Sequence, residues 1–326
     1  MEALAKKRLS PILLYASLIL GLLILVWVSL FTGVKNIAMR DVFAMSPDQL
    51  LVFTIARIPR AIALVLTGAG LSVAGFIMQQ LSQNKFVSPT TAGSLEAAKM
   101  GILFSMLLIP QASIATKSVA ALLFTLAANV LFVMMVRRVR FRSSVFIPLV
   151  GIMFGNILAA ISTFFAFKYD IVQNVQEWMI GDFSSVLQGQ YESIYLILPT
   201  VVLAYIYADR FTIVGMGESF AKNLGISYSA IVNLGLFAVS LTVSVSVVTA
   251  GAIPFLGLIV PNMVSMMMGD NLRRTLPMTA LVGSLFLLFC DVVGRLIIFP
   301  YEVPIGLMVG VIGGVVFLIL ILKRNR

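Results

Sequence analysis

The chain has 326 residues, of which 60% are apolar and only 11% charged, and its mean hydropathy is +1.06. A water-soluble domain of this size does not cover itself with so little charge, so a soluble enzyme is excluded and a membrane protein is read instead. The formal charge of +10 sits at the ends of apolar runs rather than along one soluble face, which fits membrane orientation and not a nucleic-acid footprint.

Apolar runs near the length that crosses a hydrocarbon layer of about 30 Å recur along the whole chain. They cover 11–31, 61–81, 91–109, 118–136, 145–167, 194–208, 230–252, 253–268, 277–298 and 304–322. This predicts an all-α integral membrane protein of about ten transmembrane helices, since the alternation of barrel strands is missing. The first run follows Lys6-Lys7-Arg8 but is longer than a signal-peptide core, so it reads as an uncleaved span. Runs 194–208 and 253–268 are short, and the second holds Pro254 and Pro261, so it reads as a broken helix packed within protein. No soluble domain, low-complexity segment or repeat interrupts the runs, and 1–326 reads as one membrane domain.

Charge sets the orientation, because short loops rich in Lys and Arg stay in the cytoplasm. Ten crossings with a cytoplasmic start put fifteen basic residues inside, among them Lys6, Lys7, Arg8, Lys85, Arg137, Arg138, Arg140, Arg142, Arg210, Lys222, Arg273 and Arg274. Six fall outside: Lys35, Arg40, Arg57, Arg60, Lys117 and Lys168. Both termini are therefore expected in the cytoplasm.

Histidine is absent, which removes the usual metal ligand, proton shuttle and general base together. The single cysteine, Cys290, lies in an apolar run and reads as a small buried side chain. No Gly-x-x-x-x-Gly-Lys-Ser/Thr segment occurs, so the chain has no phosphate loop of its own.

In Arg57-Ile58-Pro59-Arg60, at the mouth of the second run, Pro59 favours a helix start. With Arg295 near the same end of the ninth run, these guanidinium groups read either as a docking surface for carboxylates or as side chains snorkelling to headgroups. Glu96 and Lys99 are three apart and Asp291 and Arg295 four apart, so each pair can meet on one helix face. Such intramembrane charges are functional candidates, with self-neutralised structural pairs as the alternative. The stretch Gly217-Glu218-Ser219-Phe220-Ala221-Lys222-Asn223-Leu224-Gly225 reads as a Gly-bounded helical turn with Glu218 and Lys222 four apart. Gly306, Gly310 and Gly314, and likewise Gly70 and Ala74, recur every four residues and predict close helix packing.

Several of these segments carry a resemblance. Arg57-Ile58-Pro59-Arg60-Ala61 with Leu66-Thr67-Gly68-Ala69-Gly70-Leu71-Ser72-Val73-Ala74-Gly75, the Gly217 to Gly225 turn, and Phe255-Leu256-Gly257-Leu258-Ile259-Val260-Pro261 followed by Arg273-Arg274 and Pro277 are similar to the permease subunits of ABC importers for ferric siderophores, haem and vitamin B12, the FecCD-like family. The likeness covers nearly the whole chain and includes Pro304-Ile305-Gly306 at the start of the last run.

The resemblance implies a type II ABC importer permease-like bundle in the plasma or inner membrane that works by alternating access. Its implied partners are a second permease subunit, identical or homologous, two cytoplasmic ATPase subunits and an external substrate-binding protein. Ferric siderophore is the first substrate expected, with haem or vitamin B12 as alternatives. No cofactor is expected in this chain, which is not an enzyme; ATP and magnesium belong to the ATPase. Within a cytoplasmic segment of about 209–228, Gly217, Glu218, Ala221, Lys222, Leu224 and Gly225 match the ATPase-coupling element. Arg57, Arg60 and Arg295 match positions that receive acidic residues of the binding protein, and Asn84, Phe86, Ser143 and Ser144 match the cytoplasmic gate. The fifth run and the following 169–190 are the expected pathway lining.

The chain departs from the family pattern at three places. It has Asn84-Lys85-Phe86-Val87 for Asn-Pro-Leu-Ala, Gly93-Ser94-Leu95-Glu96-Ala97-Ala98 for a Ser-Ser-Gly-rich stretch, and Asn262 where histidine commonly follows Ile-Val-Pro. The alternative from another class is an ion-gradient-driven secondary transporter, whose coupling carboxylate would be Glu96 or Asp291. An integral membrane enzyme lacks converging catalytic groups.

Overall fold

The computed structural model describes residues 11–33, 45–109, 111–138 and 146–324. Of the residues singled out above, Lys6, Lys7, Arg8, Lys35, Arg40, Arg140, Arg142, Ser143 and Ser144 lie outside that set. No strand occurs among the described residues. In chain order the helices are α1 (Pro11–Phe31), α2 (Pro47–Val52), α3 (Ile58–Leu81), α4 (Ser94–Leu108), α5 (Ile114–Arg138), α6 (Phe146–Lys168), α7 (Val172–Met179), α8 (Ile197–Ile206), α9 (Ala208–Gly215), α10 (Glu218–Asn223), α11 (Tyr228–Ala250), α12 (Leu256–Met268), α13 (Leu272–Ile297) and α14 (Ile305–Arg324). Six are long and apolar enough to cross a membrane among the described residues: α1, the joined α2 and α3, α5, α6, α11 and α13. A further candidate, Glu192–Ile206 with Ala208–Gly215, is bent by 66°. The remaining apolar runs hold α4, of 15 residues, α12, of 13, and α14, whose stretch Ile305–Leu320 is apolar.

The second run differs from its sequence reading. α3 starts at Ile58 with Pro59 in its first turn, but no loop precedes it: a π-helical turn, Phe53–Arg57, joins it to α2, and the helix runs from Pro47 to Leu81 over 35 residues. The reason is local. Proline has no N–H for the carbonyl four residues back, and the backbone N–H of Gln188 donates to that Ile55 oxygen instead, at 2.9 Å. The chain therefore stays helical where the sequence points to a start.

α3 runs through the centre, packed against α13, α11, α12 and α8. Glycine sets how closely its neighbours come. A Cβ on Gly68 would lie 2.6 Å from the carbonyl oxygen of Gly283, and one on Gly75 would lie 1.9 Å from that of Gly257. Pro261 inside α12 cannot donate to the Gly257 carbonyl, so that oxygen rests on the α3 backbone. The expected stripe in the last span packs at one end only: Gly306 lies against Gly181 and Ala252, while Gly314 faces open space.

Buried polar side chains add a second kind of tie. Ser94 Oγ donates to Asn129 Oδ1 at 2.6 Å, Asn129 Nδ2 to Ser240 Oγ at 2.8 Å, and Ser240 Oγ to the Leu236 carbonyl at 2.7 Å. This chain of bonds links α4, α5 and α11 where no water competes.

Candidate functional site

The turn from Gly217 to Gly225 is built as its glycines demand. Gly217 has φ +115° and Gly225 φ +72°, both outside the range ordinary side chains favour. At the end of α10 the Ile226 N–H donates to the Ala221 carbonyl and the Gly225 N–H to that of Lys222, each at 3.0 Å, which is the paired closure of a Schellman motif. Ala221 is fully buried against the bundle. Lys222 Nζ donates to Glu218 Oε1 at 2.8 Å on the open side, and that bond and charge hold the Glu218 carboxyl below its ordinary value.

Sequence reading missed part of this surface. Met216, Phe220 and Leu224 are 60%, 46% and 55% exposed, a set of apolar side chains standing out of a polar turn. Their four-residue spacing was the available signal. The turn sits on the end of α3: a Cβ on Gly215 would fall 1.9 Å from Gln80 Oε1, and one on Gly217 would fall 3.6 Å from Gln83 Nε2.

α3 ends in the same closure, with Gln83 left-handed at φ 53° and the Asn84 N–H donating to the Gln79 carbonyl at 3.0 Å. The Asn84 side chain then accepts from the Phe86 N–H at 2.8 Å, and Phe86 meets Phe317 of α14 edge-on at 6.4 Å. Lys85, between them, reaches both carboxylate oxygens of Asp270 at 2.7 and 2.8 Å and Ser265 Oγ at 3.1 Å. Asn262 Nδ2 donates to the Lys85 carbonyl at 2.8 Å, so two of the departures from the family pattern touch one another. A cavity of about 310 Å³ lies here, lined by Gln79, Gln83, Asn84, Gly215, Met216 and Asp270.

At the opposite end of the bundle the three arginines meet, each held by carboxylates or carbonyls, with Arg60 and its partner Glu302 partly exposed. Arg60 donates to Asp291 Oδ1 at 2.7 and 3.1 Å and pairs with Glu302 at 2.8 Å. Arg295 pairs with Asp291, as their spacing predicts, and also holds the Ser29 and Thr32 carbonyls at 3.0 and 2.8 Å. Arg57 donates to the Leu30 carbonyl at 2.8 Å. Arg57 and Arg295 are buried, and the Arg60 side chain is 14% exposed. Asp291 and Glu302, which sequence reading did not join to Arg60, hold its guanidinium group, Asp291 and the Ser29 and Thr32 carbonyls hold that of Arg295, and the Leu30 carbonyl takes that of Arg57.

The same end carries a cavity of about 620 Å³, lined by residues that include Lys117, Glu177, Asp182, Gln190 and Tyr191. Between the two ends Lys99 Nζ lies 3.7 Å from Glu96 Oε2, so that predicted pair forms, loosely. No group of three or more Cys, Asp or Glu able to hold a metal occurs among the described residues.

The FecCD transport family matches residues 21–323. The petrobactin import system permease protein YclN of Bacillus subtilis (strain 168) is 51% identical over 304 residues, 93% of this chain and 96% of that protein. The ferric-anguibactin transport system permease protein FatD of Vibrio anguillarum (strain ATCC 68554 / 775) is 45% identical over 309 residues, 95% of this chain and 98% of that protein. A solved metal-chelate type ABC transporter in an inward-facing conformation shares the fold with a TM-score of 0.81 at 24% identity, over 96% of this chain and 100% of that one.

Proposed function

The chain belongs to the FecCD transport family, and on that premise we propose that it is the permease subunit of an ATP-driven importer carrying a ferric siderophore across the cell membrane. The observation that carries the substrate class is the pair of relatives named for petrobactin and ferric-anguibactin, each matched over more than nine tenths of this chain. The chain is a multi-pass membrane transport subunit and not an enzyme. ATP and magnesium act in separate ATPase subunits, and a second permease, identical or homologous, and an external binding protein complete the assembly.

This reading takes 1–326 as one transmembrane domain with ten crossings and both termini in the cytoplasm. The six long helices are joined by α4, the bent α8 and α9, α12 and α14. α10, within a coupling segment of about 209–228, then faces the cytoplasm. Met216, Phe220 and Leu224 form its apolar anchor for a cleft on the ATPase, with Glu218 and Lys222 as a polar rim. Gly217, Ala221 and Gly225 fix the shape of the turn.

Arg60 and Glu302 form the outer contact for the binding protein in this reading, held from behind by Arg57 and Arg295. Asn84 and Phe86, with Ser143 and Ser144, belong to the cytoplasmic gate. α6 lines the pathway through its exposed Asn156, Ala160 and Thr163, which share one sector of the helix.

The test is uptake of radioactive iron as ferric petrobactin in cells carrying the chain or Glu218→Arg at matched membrane abundance. The variant puts two cations on one turn and is expected to lower both uptake and ATPase co-purification by about tenfold, roughly 1.4 kcal/mol. Unchanged uptake would remove the coupling role of the turn. A wild-type chain that moves no ferric siderophore would remove the substrate class.

A further inference from the structure

The segment before α4 reaches deep into the bundle. The Thr91 carbonyl oxygen would be 2.2 Å from a Cβ on Gly151, and the Gly93 Cα 3.3 Å and the Glu96 Cγ 4.0 Å from one on Gly155. Gly155 is near the middle of α6, a helix of 23 residues, and lies about 14 Å along its axis. α4 therefore starts at mid-depth and not at a membrane surface. Glu96, in its first turn, is level with Gly155, and Lys99 lies one turn further on.

These two charges are poorly satisfied. Their separation of 3.7 Å is beyond a hydrogen bond, and the enclosed Glu96 Oε2 has no hydrogen-bond partner. Neither side chain is sealed, Glu96 being 31% and Lys99 18% exposed. An opening onto hydrocarbon would leave ammonium and carboxylate against lipid, which membrane proteins avoid. Within this chain the space beside Lys99 is small, about 10 Å³ among Ile102, Leu103, Met106, Val175 and Met179, so its open side is read as facing the pathway of the assembled transporter.

We propose that Lys99 is a specificity-determining contact for the negatively charged oxygens of a ferric chelate in transit, and that Glu96 is the resident counter-ion it leaves when the chelate arrives. This rests on the ferric-siderophore reading above. Iron(III) is a hard cation held by deprotonated oxygen ligands, so its chelates present anionic oxygen, and an ammonium group with open donors suits them. The long ion pair makes the exchange of partners cheap, because little bonding is lost when Glu96 is left behind.

The experiment compares KM and maximal rate for ferric petrobactin uptake in the assembled transporter, with wild-type chain, the double variant Glu96→Gln/Lys99→Met, and Lys99→Arg. A merely structural ion pair can be removed as a unit at little cost, so an unchanged KM in the double variant overturns the proposal. The expected result is a KM raised about tenfold or more with membrane abundance retained, while Lys99→Arg keeps KM within about threefold. Should the double variant not accumulate, Lys99→Gln reads the same KM, and a wild-type value there overturns the proposal equally. A wild-type assembly that moves no ferric petrobactin overturns the importer reading, a different outcome from a variant that moves it as well as wild type.

Discussion

Two groups of charge lie within this bundle, and they are bonded in opposite ways. Asp291 is almost fully buried, accepts from Arg60 at 2.7 and 3.1 Å, and also pairs with Arg295. Arg295 in turn grips α1 through Ser29. Lys99 and Glu96 sit on one helix, 3.7 Å apart, and among the described residues hold only each other. The first group ties three helices together, so losing one member strands the rest. The second ties nothing, so its members are free to change partners. Density of bonding, more than depth, separates charges that hold the fold from charges available to a substrate.

The hardest blow to that contrast is Asp291→Ala. It leaves Arg60 and Arg295 buried without their shared carboxylate, and breaking a buried pair in this way costs about 3–5 kcal/mol. Thermal unfolding of the purified protein should register this as a large fall in Tm together with reduced membrane abundance. Glu302→Gln sharpens the point, because the Glu302 side chain is 28% exposed and Arg60 keeps Asp291; its expected cost is about 1 kcal/mol or less. Equal losses in the two variants would mean that bonding density does not rank these charges.

Much of this was open to sequence reading, and the boundary has a physical cause. Asp291 with Arg295, Glu96 with Lys99 and Glu218 with Lys222 were found because helix geometry makes residues three or four apart into neighbours. Arg60 and Asp291, separated by 231 positions, and Lys85 and Asp270, separated by 185, were not, because only the packing of whole helices brings them together. The glycine stripes were half legible. Gly70 meets the Ile197 side chain, whereas the backbone seams are Gly68 with Gly283 and Gly75 with Gly257, pairings that depend on the partner helix. Pro59 marks the start of α3 but does not reveal the helical turn before it, since the donor that rescues Ile55 comes from Gln188.

Lys85 and Asp270 occupy the middle of the ranking. They are as well bonded as the arginine cluster, with Ser265 completing the group, but their side chains are 43% and 52% exposed. Water competes for both, so Lys85→Ala is expected to cost about 0–1 kcal/mol. The loss should shrink further in high salt, as screening weakens an exposed pair. Denaturation at low and high salt reads both effects. A cost near that of Asp291→Ala, or one indifferent to salt, would show that bond count outweighs exposure.

The smallest effect belongs to Glu218 and Lys222, 50% and 67% exposed at 2.8 Å. Lys222 holds the Glu218 carboxyl below its ordinary value through a hydrogen bond and its charge. A carboxyl lowered on folding stabilises the turn at every pH above the ordinary carboxylate value, and that help is lost only as pH falls through its folded value. Amide exchange at Gly225 and Ile226, whose N–H groups close the turn, should therefore keep its protection from neutral to mildly acidic solution and show a small drop only in stronger acid. Protection already lost in mildly acidic solution would mean that some other group governs the turn. Protection that survives strong acid unchanged would mean that the glycine-bounded closure, and not the ion pair, keeps the element in shape for its partner.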